Sequence, residues 1–145
     1  MSRNAIVLSI RPRYVERIVD GLKTVELRRR FPLLAEHSAV LLYSTSPVQS
    51  IVGHAVLAEV VRLSPRALWR RFARAAAVTR DEFDVYFRGV EVGCALRLTH
   101  FRKFPRPIPL PDLERRFAFC PPQSFCYWRE PLTTLAVHGR FKTLT

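Results

Sequence analysis

Within eight residues, Gly21-Leu22-Lys23-Thr24-Val25-Glu26-Leu27-Arg28 brings together an ammonium, a hydroxyl, a carboxylate and a guanidinium. Lys23 can hold a phosphate as a point charge, or act as a base if desolvation lowers its pKa. Glu26 can accept from a base edge or orient Lys23. Arg28 can fork onto a phosphate or pair with Glu26. The competing reading is a solvated strand face on which Glu26 and Arg28 form a surface ion pair of little energetic weight. On that reading Lys23→Ala changes stability by no more than about 0.5 kcal/mol. If the group faces a cleft, the same change spares the fold and removes ligand binding.

The elements around this segment follow from pattern. Ala5–Ile10 is a continuous apolar run and reads as a buried strand. Pro12 suits a first helical turn, and Tyr14, Val15, Ile18 and Val19 recur at helical spacing up to Gly21, which gives a helix over 12–20. The stretch 24–31 alternates, with Val25 and Leu27 on one face and Thr24, Glu26, Arg28 and Arg30 on the other. Further strands are expected at 39–44, 53–62 and 94–101. A helix over 65–76 and a second one started by a Thr79/Glu82 capping box and closed at Gly89 lie between them. Pro105, Pro107, Pro109 and Pro111 are expected to break regular structure, and 121–128 to be a loop entering a last short strand. The tail, 129–145, is weakly patterned and is expected to lie loosely on the surface. The expectation is one α+β domain over 1–145 with its core at about 5–128. Its architecture would be a small, partly open β-barrel of five to six strands with helices inserted at its mouth.

The charge balance narrows the function. With 24 Lys+Arg against 12 Asp+Glu, the formal net charge is +12. Only Lys23, Lys103 and Lys142 of those cations are lysines. Such a surplus attracts polyanions, and arginine's planar fork suits phosphates and base edges. Arg66, Arg70 and Arg74 would form a ridge at i, i+4, i+8 able to guide a phosphate backbone. The apolar run at the N-terminus spans six residues, too few for a signal-peptide core or for a membrane span of about 20 residues. A soluble cytoplasmic protein with no membrane partner is expected. Cys94, Cys120 and Cys126 have no ligand spacing, and His37, His54, His100 and His138 are scattered, so neither a metal nor a cofactor is expected. A phosphate-cradling glycine loop and a serine nucleophile elbow are both missing.

Two further segments carry polar groups suited to a cleft. Tyr43, Ser44 and Ser46 could hydrogen-bond a phosphate or ribose, and Gln123 and Ser124 could do so from the last loop. Phe125, Tyr127 or Trp128 could stack a base, although Phe125 and Trp128 read more readily as core. Ser46-Pro47 and Pro121-Pro122 serve equally well as turn formers.

Ser9-Ile10-Arg11-Pro12-Arg13-Tyr14, Ile18 and the run Gly21 to Arg28 together resemble the signature of ASCH domains, in which a short helix ends in Gly-x-Lys-Thr and runs into x-Glu-x-Arg. Tyr43-Ser44-Thr45-Ser46-Pro47, Ile51-Val52-Gly53 and Pro121-Pro122-Gln123-Ser124-Phe125-Cys126-Tyr127 extend the resemblance to the branch described as predicted transcriptional regulators. The resemblance implies a PUA-like β-barrel associated with RNA binding and modified-base recognition. It also implies possible enzymes, since one branch deacetylates N4-acetylcytidine and another is associated with ribonuclease activity. The deacetylase's lysine maps onto Lys23. Its threonine meets Glu26 here, with Thr24 a nearby substitute, and its glutamate falls among Ala75, Ala76 and Ala77.

The functional expectation is therefore binding of RNA or a nucleotide in a basic cleft. Lys23, Glu26 and Arg28 would form the floor and Ser44, Ser46 and Ser124 the walls. DNA is the less favoured nucleic acid, because the chain has no separate helix-turn-helix segment. The alternative is a metal-independent enzyme at the same place, a ribonuclease before an amidohydrolase, using Lys23 and Glu26 with Thr24 nearby.

Overall fold

The structure is a computed structural model and describes residues 5–33, 36 and 38–135. Among the described residues six strands make one sheet: β1 Ala5–Ile10, β2 Val25–Arg28, β3 Ser38–Ser44, β4 Ser50–Leu63, β5 Gly93–Pro109 and β6 Phe125–Trp128, in the order β2-β5-β4-β3-β1-β6. The sheet is accompanied by helices α1 Pro12–Val19, α2 Pro65–Ala76, α3 Arg80–Tyr86 and α4 Leu110–Phe117. β1 pairs parallel with β3 and antiparallel with β6. The other ladders are antiparallel.

The apolar run of β1 is explained by burial on both faces. Ile6, Leu8 and Ile10 enter a core shared with α1, β3, β4 and β5, while Ala5 and Val7 enter a second core built with Tyr43, Phe104, Leu113 and Trp128. A third core forms where Val25 and Leu27 of β2 meet Leu68 and Phe72 of α2 and Phe83 of α3. β4 slips register against β5 at three places, and such irregularities add local twist. Within this stretch Gly53 is required by contact, because a Cβ there would collide with the backbone oxygen of Arg102.

The α+β class holds, but the barrel does not close by backbone pairing, since β2 and β6 end the sheet. Side chains span the opening instead. Arg28 of β2 donates to the carbonyl of Ser9 in β1 at 2.9 Å and to Ser124 Oγ at 3.2 Å.

Two expectations are corrected. The prolines do not end β5, which runs seventeen residues through Pro105, Pro107 and Pro109. Beyond Leu98, whose amide reaches the Thr24 carbonyl, this strand pairs with β4 alone, so a missing N–H on the open side leaves no bond unmade. Helix α4 follows directly. Pro111 lies in its first turn, where an N–H would have no intrahelical acceptor and proline's lack of one costs nothing, and Asp112 favours the same end. The tail is not loose throughout, because Leu132–Leu135 forms a short 3-10 turn that buries Leu135 in the second core. His37, His138 and Lys142 lie outside the described residues. No helix among those residues is long and apolar enough to cross a membrane.

Candidate functional site

The path of the chain out of α1 places Lys23. Gly21 takes a φ of 78°, and the amides of Gly21 and Leu22 return to the carbonyls of Ile18 and Arg17 at 3.0 and 2.9 Å, a Schellman closure. The turn delivers Lys23 beneath the end of α2. There its Nζ donates to the Ala76 carbonyl at 2.6 Å and lies 3.4 Å from Glu26 Oε1, with the Tyr14 ring 5.3 Å away. The last carbonyls of a helix lack intrahelical donors and carry the negative end of its dipole, so an ammonium is well matched to them. Burial pushes the Lys23 pKa down, and the attraction of Glu26 offsets that only in part.

Glu26 bridges two cations. Its Oε2 accepts from Arg28 at 2.8 Å, and Lys23, Glu26 and Arg28 are all at least nine-tenths buried. The charged face of β2 is thus not solvated, and both faces of this strand are covered. Two cations and one carboxylate leave the triad one positive charge. The solvated surface ion pair is overturned, because all three side chains are buried.

Above the triad opens a cleft of roughly 700 Å³ between the end of β1, α1, α3 and the loop before β6. Of the expected residues, Lys23, Glu26, Arg28, Gln123 and Ser124 line it. Thr24, Tyr43, Ser44, Ser46, Arg66, Arg70 and Arg74 do not. Thr24 is fixed by its backbone, its amide reaching the Ala75 carbonyl at 2.9 Å. Tyr43 faces the second core, its ring 5.7 Å from Phe119, and burial raises its pKa. Alternation along β3 explains this: Val40 and Leu42 point to the first core, and Leu41 and Tyr43 to the second. Ser44 is buried, Ser46 is exposed, and it is Thr45 between them that lines the cleft. The ridge of Arg66, Arg70 and Arg74 is exposed along α2, away from the cleft lining.

Several cleft residues escaped sequence reasoning. Tyr14 had the spacing of a core residue, yet its hydroxyl donates to Glu82 Oε2 at 2.8 Å across the cleft. Glu82 showed only as a capping residue. It does accept from the Thr79 amide at 2.8 Å, and it also takes Arg17 at 3.3 Å, so it fastens α3 to α1. The Thr79 amide above all, with Tyr14 and Arg17, holds the Glu82 carboxyl down at about 2. Arg11, Arg13 and Tyr86 complete the polar rim, with Asp81 beside Glu82. Four cations and three carboxylates line the cleft, so its floor is cationic and its rim is mixed. Among the described residues no three His, Cys, Asp or Glu are grouped to hold a metal ion.

The sequence matches the family described as Domain of unknown function (DUF365) over residues 3–116. It is 39% identical over 132 residues to an ASCH domain-containing ribonuclease from Zymomonas mobilis subsp. mobilis, covering 90% of this chain and 88% of that protein. The crystal structure of ASCH from Zymomonas mobilis superposes with a TM-score of 0.85 at 37% identity, covering 94% of this chain and 95% of that one. A crystal structure of a serine-to-alanine variant of that protein agrees equally, with a TM-score of 0.85 over 93% and 95% of the two chains. Extensive identity, matched fold and the Gly-x-Lys-Thr-x-Glu-x-Arg run seated at the base of a cleft lead to one assignment: the chain belongs to the ASCH domain family.

Proposed function

We propose that the protein binds RNA, through a nucleotide held in the cleft above Lys23, Glu26 and Arg28. The observation that carries this reading is the buried triad, a fixed net positive charge at the base of a cavity of nucleotide size. A phosphate settling there gains from charge that is already desolvated and oriented. Ser124 and Gln123 supply hydroxyl and amide groups for ribose or base, and Tyr14, Phe83 and Tyr86 supply ring surface. RNA is favoured over DNA because its 2′-hydroxyl, which DNA lacks, offers Ser124 and Gln123 a further hydrogen-bonding group. We place the molecule in the cytoplasm as a single-domain, PUA-like barrel left open between β2 and β6. The segments at 43–47, 51–53 and 121–127 support the branch described as predicted transcriptional regulators.

A second reading, a metal-independent ribonuclease, is favoured by the 39% identity to a protein of that description. Lys23 and Arg28 would then stabilise the charge developing on phosphorus. Lys23 is a poor proton carrier, because a carbonyl, a carboxylate and an aromatic face surround its ammonium. Tyr14 and Tyr86 are the better candidates for proton transfer from the rim, although burial raises the pKa of both. An amidohydrolase is less favoured, as the glutamate of that branch falls among Ala75, Ala76 and Ala77, which carry no carboxylate.

The deciding experiment incubates the protein with a mixed pool of RNA, DNA and modified nucleosides, with and without EDTA, followed by mass spectrometry of bound and altered species. Retained, unaltered RNA is the expected result. RNA shortened equally with and without chelator selects the ribonuclease. Retention of DNA in preference to RNA, or of neither, overturns both readings.

A further inference from the structure

A second cavity, of roughly 590 Å³, shares Ser124 with the cleft. Arg29, Arg30 and Arg62 line it, with Phe31 and Phe125 among its apolar residues, and no carboxylate among the described residues does. None of the three arginines forms an ion pair among the described residues. By contrast, Arg28, Arg71, Arg80, Arg97 and Arg115 each have a carboxylate within 4 Å.

The groove is anchored. Arg62 donates to the Phe31 carbonyl at 2.7 Å, and Arg29 donates to the Tyr86 carbonyl at 3.1 Å. Tyr86 itself lines the cleft, so the two cavities are joined at Ser124 and at the Arg29–Tyr86 pair. Phe31 and Phe125 pack with ring centroids 4.8 Å apart, and Phe125 remains half-buried, with part of its ring available at the surface.

We infer that this arginine groove is a second subsite, which takes the phosphates of the nucleotides flanking the one in the cleft. The ligand class is therefore a single-stranded oligonucleotide and not a free nucleotide. The inference rests on the reading of the cleft given above and deepens it. Like charges gathered without a counter-ion raise the local potential and favour an entering polyanion. A phosphodiester supplies one negative charge per residue, and the Phe125 ring offers a neighbouring base or ribose an apolar contact. A duplex does not suit the arrangement, because a base must be splayed out to enter the cleft.

The test compares the four ribomononucleotides with a mixed-sequence ribopentanucleotide by titration calorimetry, for the intact protein and for Arg30→Glu and Arg62→Gln. The pentanucleotide is expected to bind at least about tenfold more tightly than any mononucleotide. Each variant should remove most of that gain and leave mononucleotide affinity within about twofold. The log–log salt slope should flatten by about 0.7 for each phosphate that is no longer neutralised. Arg30 makes no side-chain bond among the described residues, so Arg30→Glu keeps the test valid should Arg62→Gln loosen the groove. Mononucleotide binding with no gain from added residues overturns the second subsite and leaves the cleft reading intact. No binding of either ligand overturns the cleft reading itself. A glutamate-rich peptide that binds the groove more tightly than the pentanucleotide also overturns the proposal, and assigns the groove to a protein partner.

Discussion

Lys23 lies 3.4 Å from Glu26, with both side chains removed from water and the ammonium also bonded to the end of α2. A lysine in that position is part of the fold. The expectation that Lys23→Ala leaves stability unchanged therefore gives way to a larger effect. Loss of the ammonium leaves Glu26 with Arg28 alone and the Ala76 carbonyl without its donor. Breaking such a buried pair costs about 3 to 5 kcal/mol. Urea unfolding should show a loss of that size in unfolding free energy for Lys23→Ala, read as a lower midpoint at an unchanged slope. Lys23→Arg should also destabilise, because a planar fork cannot replace a compact ammonium among three partners. A stability change under about 0.5 kcal/mol would mean that the pair is solvated after all.

Arg28 holds the last loop. Its guanidinium reaches Glu26, the Ser9 carbonyl and Ser124 together, which joins β2 to β1 across the gap in the sheet. Arg28→Lys keeps the charge and loses the fork. The expected outcome is faster amide hydrogen exchange in 121–125 and at least about tenfold weaker RNA binding, with a smaller stability loss than for Lys23→Ala. Ser124→Ala removes one hydroxyl group from the cleft and should weaken RNA binding without altering exchange elsewhere. Equal exchange in the loop for Arg28→Lys and the unaltered protein would show that the loop is held by other means.

Much of this arrangement was legible locally. The α1 and α2 boundaries follow from Pro12, Gly21 and Pro65, and the capping box from Thr79 and Glu82, because caps act within one helical turn. What escaped depends on distant neighbours. The prolines of β5 look like breakers until the absence of a strand on their open side is known. Alternation shows that Glu26 and Arg28 share a face, but not that the face is covered by α1 and the 121–124 loop. Tyr43 and Ser44 look equally polar in sequence, and only the two-sided burial of β3 sends the tyrosine into the core. The family resemblance pointed to Gly21–Arg28, and the structure seats Lys23, Glu26 and Arg28 at the base of a cavity. The partners that make it a cleft, Tyr14 and Glu82, came from packing.

The ridge of Arg66, Arg70 and Arg74 is exposed and lies outside both cavities. Its expected role is long-range attraction. Reversing all three to Glu should slow association with long RNA and lower the salt slope, with equal effect on every sequence, because such contacts position without specifying. Mononucleotide affinity should hold within about twofold. Stopped-flow association rates at several salt concentrations test this. A change confined to particular RNA sequences would mean that the ridge reads bases.

Glu82 sets the acid limit of the cleft. Its carboxyl is held at about 2 against 4.5 when unperturbed, first by the Thr79 amide and then by Tyr14 and Arg17. The folded pKa is depressed, so the unfolded chain takes up its proton first as pH falls. The stability contributed by Glu82 is therefore complete above about pH 4.5 and is lost progressively between there and about pH 2. Glu82→Gln keeps an acceptor for the Thr79 amide and removes the titration. The variant should be less stable than the parent at neutral pH by about 1 to 2 kcal/mol, because the bonds from Thr79, Tyr14 and Arg17 then fall on a neutral acceptor. The two stabilities should converge as pH drops through that window. Because Glu82 also joins α3 to α1, the variant should open the cleft side of α3, seen as faster amide exchange over Arg80–Tyr86 at neutral pH. Parallel stability curves for parent and variant from pH 5 to pH 2 would remove Glu82 from this role.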